Sequence, residues 1–238
     1  MIEDKFILDM TDEEILDEIS LILKHKVVKQ TEQVGWITED PKEYFVKDKV
    51  DCEKLYDLYR SSKKFDAYVA TLSLTSLRNR PKDLFELIRN QTKGKKVLEY
   101  GCGTSTHGIA CAQLGCEVHI CDISQKMMDI AESRYKLRKL EVEHHIISNH
   151  FPETLPKNYF NIVICADVVE HVPDPISLLK YFISWLKVGG IIHLHVSLKV
   201  NLQKGHLPQA IREWKTKGQS ILKNRFVKLS DHNYKLIK

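Results

Sequence analysis

The chain has 238 residues, 43% of them hydrophobic and 29% charged, with 36 basic side chains against 32 acidic ones and a net charge of +4. Such a chain can bury a sizeable core, and its mild positive balance permits an acidic partner without calling for one. Its longest apolar runs have strand length rather than the roughly 20 residues of a bilayer span, and the acidic opening MIEDKFILDMTDEE lacks the basic-then-apolar layout of a signal peptide.

Taken in order, Thr11 and Glu14 fit a capping box, and Ile15, Leu16, Ile19, Leu21, Ile22 and Leu23 follow as the apolar face of a helix. WITEDPKEYF is turn-rich and reads as loop. CEKLYDLYRSSKKFDAYVATLSL and PKDLFELIRN read as two further helices, the second opened by Pro81 at a first-turn position. The run KGKK, Lys93 to Lys96, marks a change of pattern, so residues 1–94 are expected to form a helical cap that shapes a substrate region, and 95–238 a second domain. From Lys96 onward short apolar runs alternate with helices. KVLEY, EVHICDI, VEHHIIS, FNIVICAD and GGIIHLHVSL read as strands; HGIACAQLG (ended by Gly115), SQKMMDIAESRYKL and DPISLLKYFISWLK read as helices. This alternation predicts an α/β, Rossmann-like, doubly wound and mostly parallel sheet covered on both faces. A helical insertion is expected near Gln209 to Lys217, and RFVKLSD with NYKLIK as a terminal antiparallel pair. Six cysteines form no CxxC pair, which reads as reduced core thiols in a cytoplasmic protein.

The stretch VLEYGCGTSTHG, Val97 to Gly108, carries the first chemical signal. Gly101 and Gly103 let the backbone approach a ligand, and the helix that follows points its amino end at the same place. A dinucleotide loop would read GxGxxG, but here the third glycine is displaced by two positions. Glu99 stands just before the first glycine, where a carboxylate suits a cationic group better than a phosphate. Asp122 ends the next strand and can accept both hydroxyls of a ribose. Ile123, Met127 and Met128 supply apolar cover for a flat base. Ribose, adenine and a cationic head together describe S-adenosylmethionine better than a nicotinamide dinucleotide.

In VLEYGCGTS, VHICDIS, FNIVICADVVEHVPDP and LKVGGIIHL, in that order, the chain resembles the class I S-adenosylmethionine-dependent methyltransferases, most of all the ubiquinone-biosynthesis type and similar small-molecule enzymes. The resemblance runs from Lys96 to the end. It implies a seven-stranded sheet with the last strand antiparallel. By position it implies that Glu99, Tyr100, Gly101, Cys102 and Gly103 line the methionine portion of the cofactor and that Asp122 holds the ribose. Ile123, Met127 and Asn149 would lie by the adenine, and Asp167 near the methionine end. Arg78 or Arg80 would meet the cofactor carboxylate. Three positions depart from the family's pattern: Asn149 and Asn161 stand where it has acids, and Val188 where it has a proline.

Methyl transfer needs an aligned acceptor and, for a hydroxyl or protonated amine, a group that removes a proton. His171 and Glu170 are the candidate bases. Asp167, Glu170 and His171 also form an acid-x-x-acid-His group whose ligand types suit a divalent metal, with His193, His195, His206 or His232 as a possible fourth ligand. Of the two histidines on one side of HLHVSL, His195 is expected to face substrate and His193 to pack deeper. His206, in the insertion, and Tyr68 and Tyr59, in the cap, are further candidates for the acceptor wall. The reading is a methyltransferase acting at oxygen or nitrogen of a small molecule. An RNA or peptide methyltransferase and a non-catalytic cofactor-binding module are the alternatives.

Overall fold

The computed structural model describes residues 4–27, 45–46, 49–50, 65–147 and 155–237. Helix α1, Asp12–Leu23, opens on the expected capping box, with the Thr11 side chain accepting from the Glu14 amide and the Glu14 carboxylate from the Thr11 amide. Ile15 and Ile19 are buried, whereas Leu21 faces solvent, because it lies six residues from Ile15 and so on another side of the helix. Phe45–Val46 pairs antiparallel with Lys49–Val50. Helices α2, Phe65–Arg78, and α3, Lys82–Gln91, come next. Pro81 takes the N-cap position in an extended conformation, one residue ahead of the expected placement.

The sheet has seven strands: β1 Lys96–Tyr100, β2 Glu117–Asp122, β3 Glu143–Ile146, β4 Phe160–Ala166, β5 Leu186–His195, β6 Phe226–Lys228 and β7 Asn233–Leu236. Their order is β3-β2-β1-β4-β5-β7-β6. β1 to β5 pair in parallel, and β7 runs antiparallel to both β5 and β6, as expected. Between them run α4 Thr106–Gln113, α5 Gln125–Leu137 and α6 Pro175–Trp185. Ser124 caps α5 through the Met127 amide, and Asp174 caps α6 through the Ser177 amide, with Pro175 in its first turn. α6 stops at Trp185, two residues earlier than its pattern suggests, because Leu186 turns extended and pairs with Phe160 of β4. The insertion is longer than expected. Helix α7, Pro208–Glu213, passes through the π-turn Trp214–Gly218 into α8, Gln219–Arg225.

Strand alternation divides the core into two layers. Val97, Ile162 and Ile164 point to the side covered by α1, α3, α4 and α5; Leu98, Val163 and Cys165 point to the side of Phe182, Trp185 and Trp214. The first layer also holds Ile7, Met10, Ile15 and Ile19, so the N-terminal segment shares its core with the sheet. A buried ion cluster fastens it there. Glu18 of α1 accepts from Arg134 Nε at 3.0 Å and Arg138 Nη2 at 2.8 Å, and all three side chains are sealed from solvent. Asn161, one of the departures from the expected pattern, accepts the Lys96 amide through Oδ1 and so pins the start of β1 to β4. Among the described residues no helix is long and apolar enough to cross a membrane.

Candidate active site

The strand order reverses between β1 and β4, and a crevice opens beyond their carboxyl ends, the usual place for a ligand in such sheets. It forms a cavity of about 450 Å³ walled by the glycine loop, the ends of β2, β4 and β5, the start of the insertion and helix α2. Gly101 and Gly103 have φ of +66° and +52°, which glycine adopts without strain. Both are also crowded, since a Cβ would lie 2.4 Å from Val168 Cγ2 or from Leu72 Cδ2 respectively.

Asp122 organises this wall. Its Oδ2 accepts the Gly103 amide at 2.8 Å and its Oδ1 the Ser124 amide at 2.9 Å, tying the loop to the start of α5. Burial pushes its carboxyl above the ordinary value against those amide bonds. Ile123 and Met127 line the cavity beside it. Cys102 is buried with its sulfur 3.6 Å from Met128 Sδ, and Tyr100 lines the cavity while its ring packs against Phe182 at 5.1 Å.

Glu99 lines the same cavity and is held from behind by the protein. Its carboxylate is buried and accepts from Ser105 Oγ at 2.7 Å and the Gly108 amide at 2.9 Å, and meets His107 Nδ1 at 2.9 Å. The displaced third glycine is explained by the same contacts. A Cβ on Gly108 would lie 2.8 Å from Glu99 Oε2, 2.5 Å from Ser105 Oγ and 2.6 Å from the Tyr135 hydroxyl. Gly108 therefore makes room for a carboxylate of the protein, not for a pyrophosphate.

The opposite wall carries the less settled groups. Asp167 has φ +56°, an uncommon conformation for a non-glycine residue. Arg80 donates to its Oδ2, and His195 Nδ1 lies 2.6 Å from its Oδ1. Burial would raise the Asp167 carboxyl, but His195 and Arg80 together hold it well below the carboxylate range. Glu170 is fully buried, and burial, reinforced by Asp167, pushes it up to about 7. Its Oε1 accepts the Ser197 amide at 3.0 Å, while Oε2 has no hydrogen-bond partner within the protein. His171 stacks edge-on against His206 at 5.0 Å, and burial with that neighbour pushes it down to about 4. His171 Nδ1 faces the Gly205 carbonyl at 3.1 Å and His206 Nδ1 the Lys199 carbonyl at 2.7 Å, so each Nδ1 donates to a backbone carbonyl.

Several sequence candidates thus converge. Asp122, Ile123, Met127, Asp167, Glu170, His171, His195 and His206 all line one cavity. His193 packs deeper, fully buried against Asn233 at 2.8 Å, as expected of it. Arg78 does not reach the cavity. It lies on the far side of α2's last turn and bonds Asp12 Oδ1 at 2.7 Å and the Met10 carbonyl at 2.6 Å; Arg80, two residues on, takes the cavity position. The acid-x-x-acid-His group is also regrouped. Asp167 turns to Arg80 and His195, and ligand atoms of Glu170, His171 and His206 lie within 4.8 Å of one another instead. Asn149, Tyr59 and the side chain of Tyr68 lie outside the described residues. Leu72, His107 and Ser197 were not legible as site residues, since a helical leucine, a helical histidine and a loop serine carry no distinguishing pattern.

The family model described as a methyltransferase domain matches residues 73–226. The chain is similar to the ubiquinone biosynthesis O-methyltransferase of Pseudomonas entomophila, 34% identical over 98 residues, covering 41% of this chain and 42% of that one. The enzyme of the same description from Xanthomonas campestris is 30% identical over 101 residues, 42% of each chain. The matched segment thus spans less than half the length of these relatives. Among solved structures, a SAM-dependent methyltransferase from Aquifex aeolicus aligns with a TM-score of 0.48 at 18% identity, over 79% of this chain and 97% of that one.

Proposed function

The chain belongs to the methyltransferase-domain family, and we propose that it transfers a methyl group from S-adenosylmethionine to an oxygen or nitrogen of a small-molecule acceptor. One observation carries the proposal: a single cavity has an aspartate-braced glycine loop on one wall and a buried, unmatched carboxyl on the other.

The residues present fit the cofactor. Asp122 spends two lone pairs on backbone amides, and a carboxylate has about four acceptor sites, so ribose hydroxyls can still be held. Ile123 and Met127 offer an apolar face to a base, and the volume suits a ligand of this size. When bound, S-adenosylmethionine supplies a methyl group activated on a sulfonium sulfur. Arg80 and Asp167 fix one another and His195 at the end of β5, which sets the position of an acceptor between β4 and β5. Glu170 takes the acceptor's proton on Oε2. With its pKa near neutrality it is a competent base at physiological pH and still acidic enough to release the proton afterwards. His206 and Lys204 close the acceptor side.

The test is calorimetric titration of the protein with S-adenosylhomocysteine and with NADH, repeated on Asp122→Ala and Asp122→Asn. We expect binding of the first ligand alone, weakened by about 10²-fold or more in both variants, in line with the loss of charge-assisted hydrogen bonds. Binding of NADH instead, or an affinity indifferent to position 122 in folded protein, would sink the reading.

A second reading of the same wall has its own support. Ligand atoms of Glu170, His171 and His206 lie within 4.8 Å of one another, and each histidine is oriented by a carbonyl behind it, the arrangement that metal-ligating imidazoles share. In this reading the three residues hold a divalent cation that receives the acceptor oxygen. Turnover that survives chelation and is unchanged by added magnesium, manganese or zinc would exclude it.

A further inference from the structure

His107 stands in the first turn of α4, buried between the glycine-loop wall and the end of α2, and its ring reaches the cavity beside Glu99. Both ring nitrogens are hydrogen-bonded. Nδ1 meets Glu99 Oε1 at 2.9 Å, and Nε2 meets the Ser76 carbonyl at 3.0 Å. A carbonyl oxygen can only accept, so Nε2 donates to it. Nδ1 faces a carboxylate oxygen, and a hydrogen bond there needs a second proton.

The surroundings put that proton on the ring. The other oxygen of Glu99, Oε2, accepts from Ser105 Oγ at 2.7 Å and from the Gly108 amide at 2.9 Å. Because the Ser105 proton goes to Glu99, the Tyr135 hydroxyl, 3.3 Å from Ser105 Oγ, donates to that serine and supports it from behind. Donors on a carboxylate favour its ionised form, so Glu99 stays an anion and His107 an imidazolium. The Ser76 end favours the same state. Ser76 lies in the last turn of α2, and its i+4 residue, Arg80, is already beyond the helix, so the carbonyl has no partner within it. A cation is stabilised at that end of a helix. His193 feels the same charge. Burial chiefly, and His107 and His232 after it, push His193 down to about 3 against Asn233 and Asp83, so it stays neutral. Phe85 of α3 covers the His107 ring on another side, with centroids 6.4 Å apart.

We propose that His107 is a positioning residue for methyl transfer, a doubly protonated ring that holds Glu99 at the cavity and ties the end of α2 to it. The inference rests on the cofactor reading of that cavity. A carboxylate has about four acceptor sites; Ser105, Gly108 and His107 fill three on Glu99, which leaves one for a donor of the bound ligand. The other half of the tie acts on the opposite wall. Asn79 and Arg80, just past Ser76, line the cavity, and Arg80 holds Asp167. One ring thus sets the cofactor wall and the acceptor wall relative to each other. Without the Nδ1 donor, Oε1 of a buried carboxylate is left unanswered, which costs Glu99 both its orientation and its ionised form.

The experiment has two parts, both on the full chain. Nitrogen-15-labelled histidine and long-range proton–nitrogen correlation spectra read the protonation of each ring nitrogen in ligand-free protein, with His107→Phe identifying the signals. At about pH 7.5, where a free imidazole is mostly neutral, both His107 nitrogens should resonate as protonated nitrogens. Calorimetric titration with S-adenosylhomocysteine then compares wild type with His107→Asn and His107→Gln, in protein whose far-UV circular dichroism matches wild type. An asparagine amide takes the place of Nδ1 and keeps the donor to Glu99, whereas a glutamine amide takes the place of Nε2 and keeps only the donor to Ser76. His107→Gln should weaken binding on the order of ten-fold or more, and His107→Asn should lie nearer to wild type than to His107→Gln. A lone-pair shift at either His107 nitrogen overturns the proposal, as does an affinity that wild type and His107→Gln share, or the reverse order of the two variants. The spectra need no ligand, so they judge the ring even where wild type fails to bind S-adenosylhomocysteine, the result that would sink the cofactor reading instead.

Discussion

Two glutamates, Glu18 and Glu170, are each fully buried, one at the seam between α1 and α5 and one on the wall of the cavity. At the seam, Glu18 meets two guanidinium groups, and although burial works to raise it, Arg134 and Arg138 hold its carboxyl below the ordinary value. On the wall, Glu170 receives one backbone amide, keeps one oxygen unmatched and is pushed up to about 7. Burial is the same; the partners differ. A buried acid whose charge is answered within the protein holds two elements together. One whose charge is left unanswered is poised to exchange a proton with a ligand.

The comparison breaks most visibly at the seam. Glu18→Ala leaves Arg134 and Arg138 buried without a counter-charge, and Arg138 Nε already lacks a partner. We expect a loss of about 3–5 kcal/mol in the denaturant-unfolding free energy, with S-adenosylhomocysteine affinity of the folded protein unchanged. The wall should behave in the opposite way. Glu170→Gln removes the proton acceptor but keeps the shape and the bond to the Ser197 amide. Turnover should fall about 10²- to 10³-fold while the unfolding midpoint stays level or rises, because an unmatched buried acid has been neutralised. If Glu170→Gln unfolds the chain and Glu18→Ala abolishes turnover alone, the two roles have been exchanged. A smaller effect sharpens the account of the glycine loop. Gly108→Ala drives a methyl group against Glu99, Ser105 and Tyr135 and should destabilise by about 1–3 kcal/mol.

Why the two acids look alike in sequence explains what could be read there and what could not. The sheet was legible because each strand is a short apolar run, each helix has its own period, and Thr11, Ser124, Asp174 and Gly115 punctuate them locally. Asp122 was legible for the same reason, since its position at a strand end after a glycine loop is a local fact. The partner of Glu18 stands 116 residues away, and no pattern near Glu18 announces Arg134. The same limit misplaced Arg78. It lies two residues before Arg80, and the turn after α2 sends one side chain to Asp12 and the other into the cavity. Glu99 stands out in the sequence, and it lines the cavity, but its protein partners Ser105, His107 and Gly108, at the start of α4, could not be read there. Regrouping of the acid–histidine segment likewise followed from a loop, because Gly205 and His206 fold back over His171.

The finest distinction between the acids is the sign of their pH dependence, measured as unfolding free energy in chelator-treated protein. Glu18 has a folded pKa below its unfolded one, so between them the unfolded state binds more protons. Its contribution is complete above about pH 4.5 and is lost as pH falls through the lowered folded value. Glu170 has a folded pKa of about 7, above its unfolded value. There the folded state binds more protons, and stability declines as pH rises from about 4.5 to about 7, by at most about 1.4 kcal/mol per pH unit for one proton. Other titratable groups face Glu170, namely Asp167, His195, His171 and His206, which is why the variant and not the wild-type curve is diagnostic. Glu18→Gln should flatten the acid limb and leave the decline toward neutrality in place. Glu170→Gln should remove that decline and leave the acid limb. A decline that persists unchanged in Glu170→Gln would mean that another group on the wall holds the proton, and the base assigned here would be the wrong one.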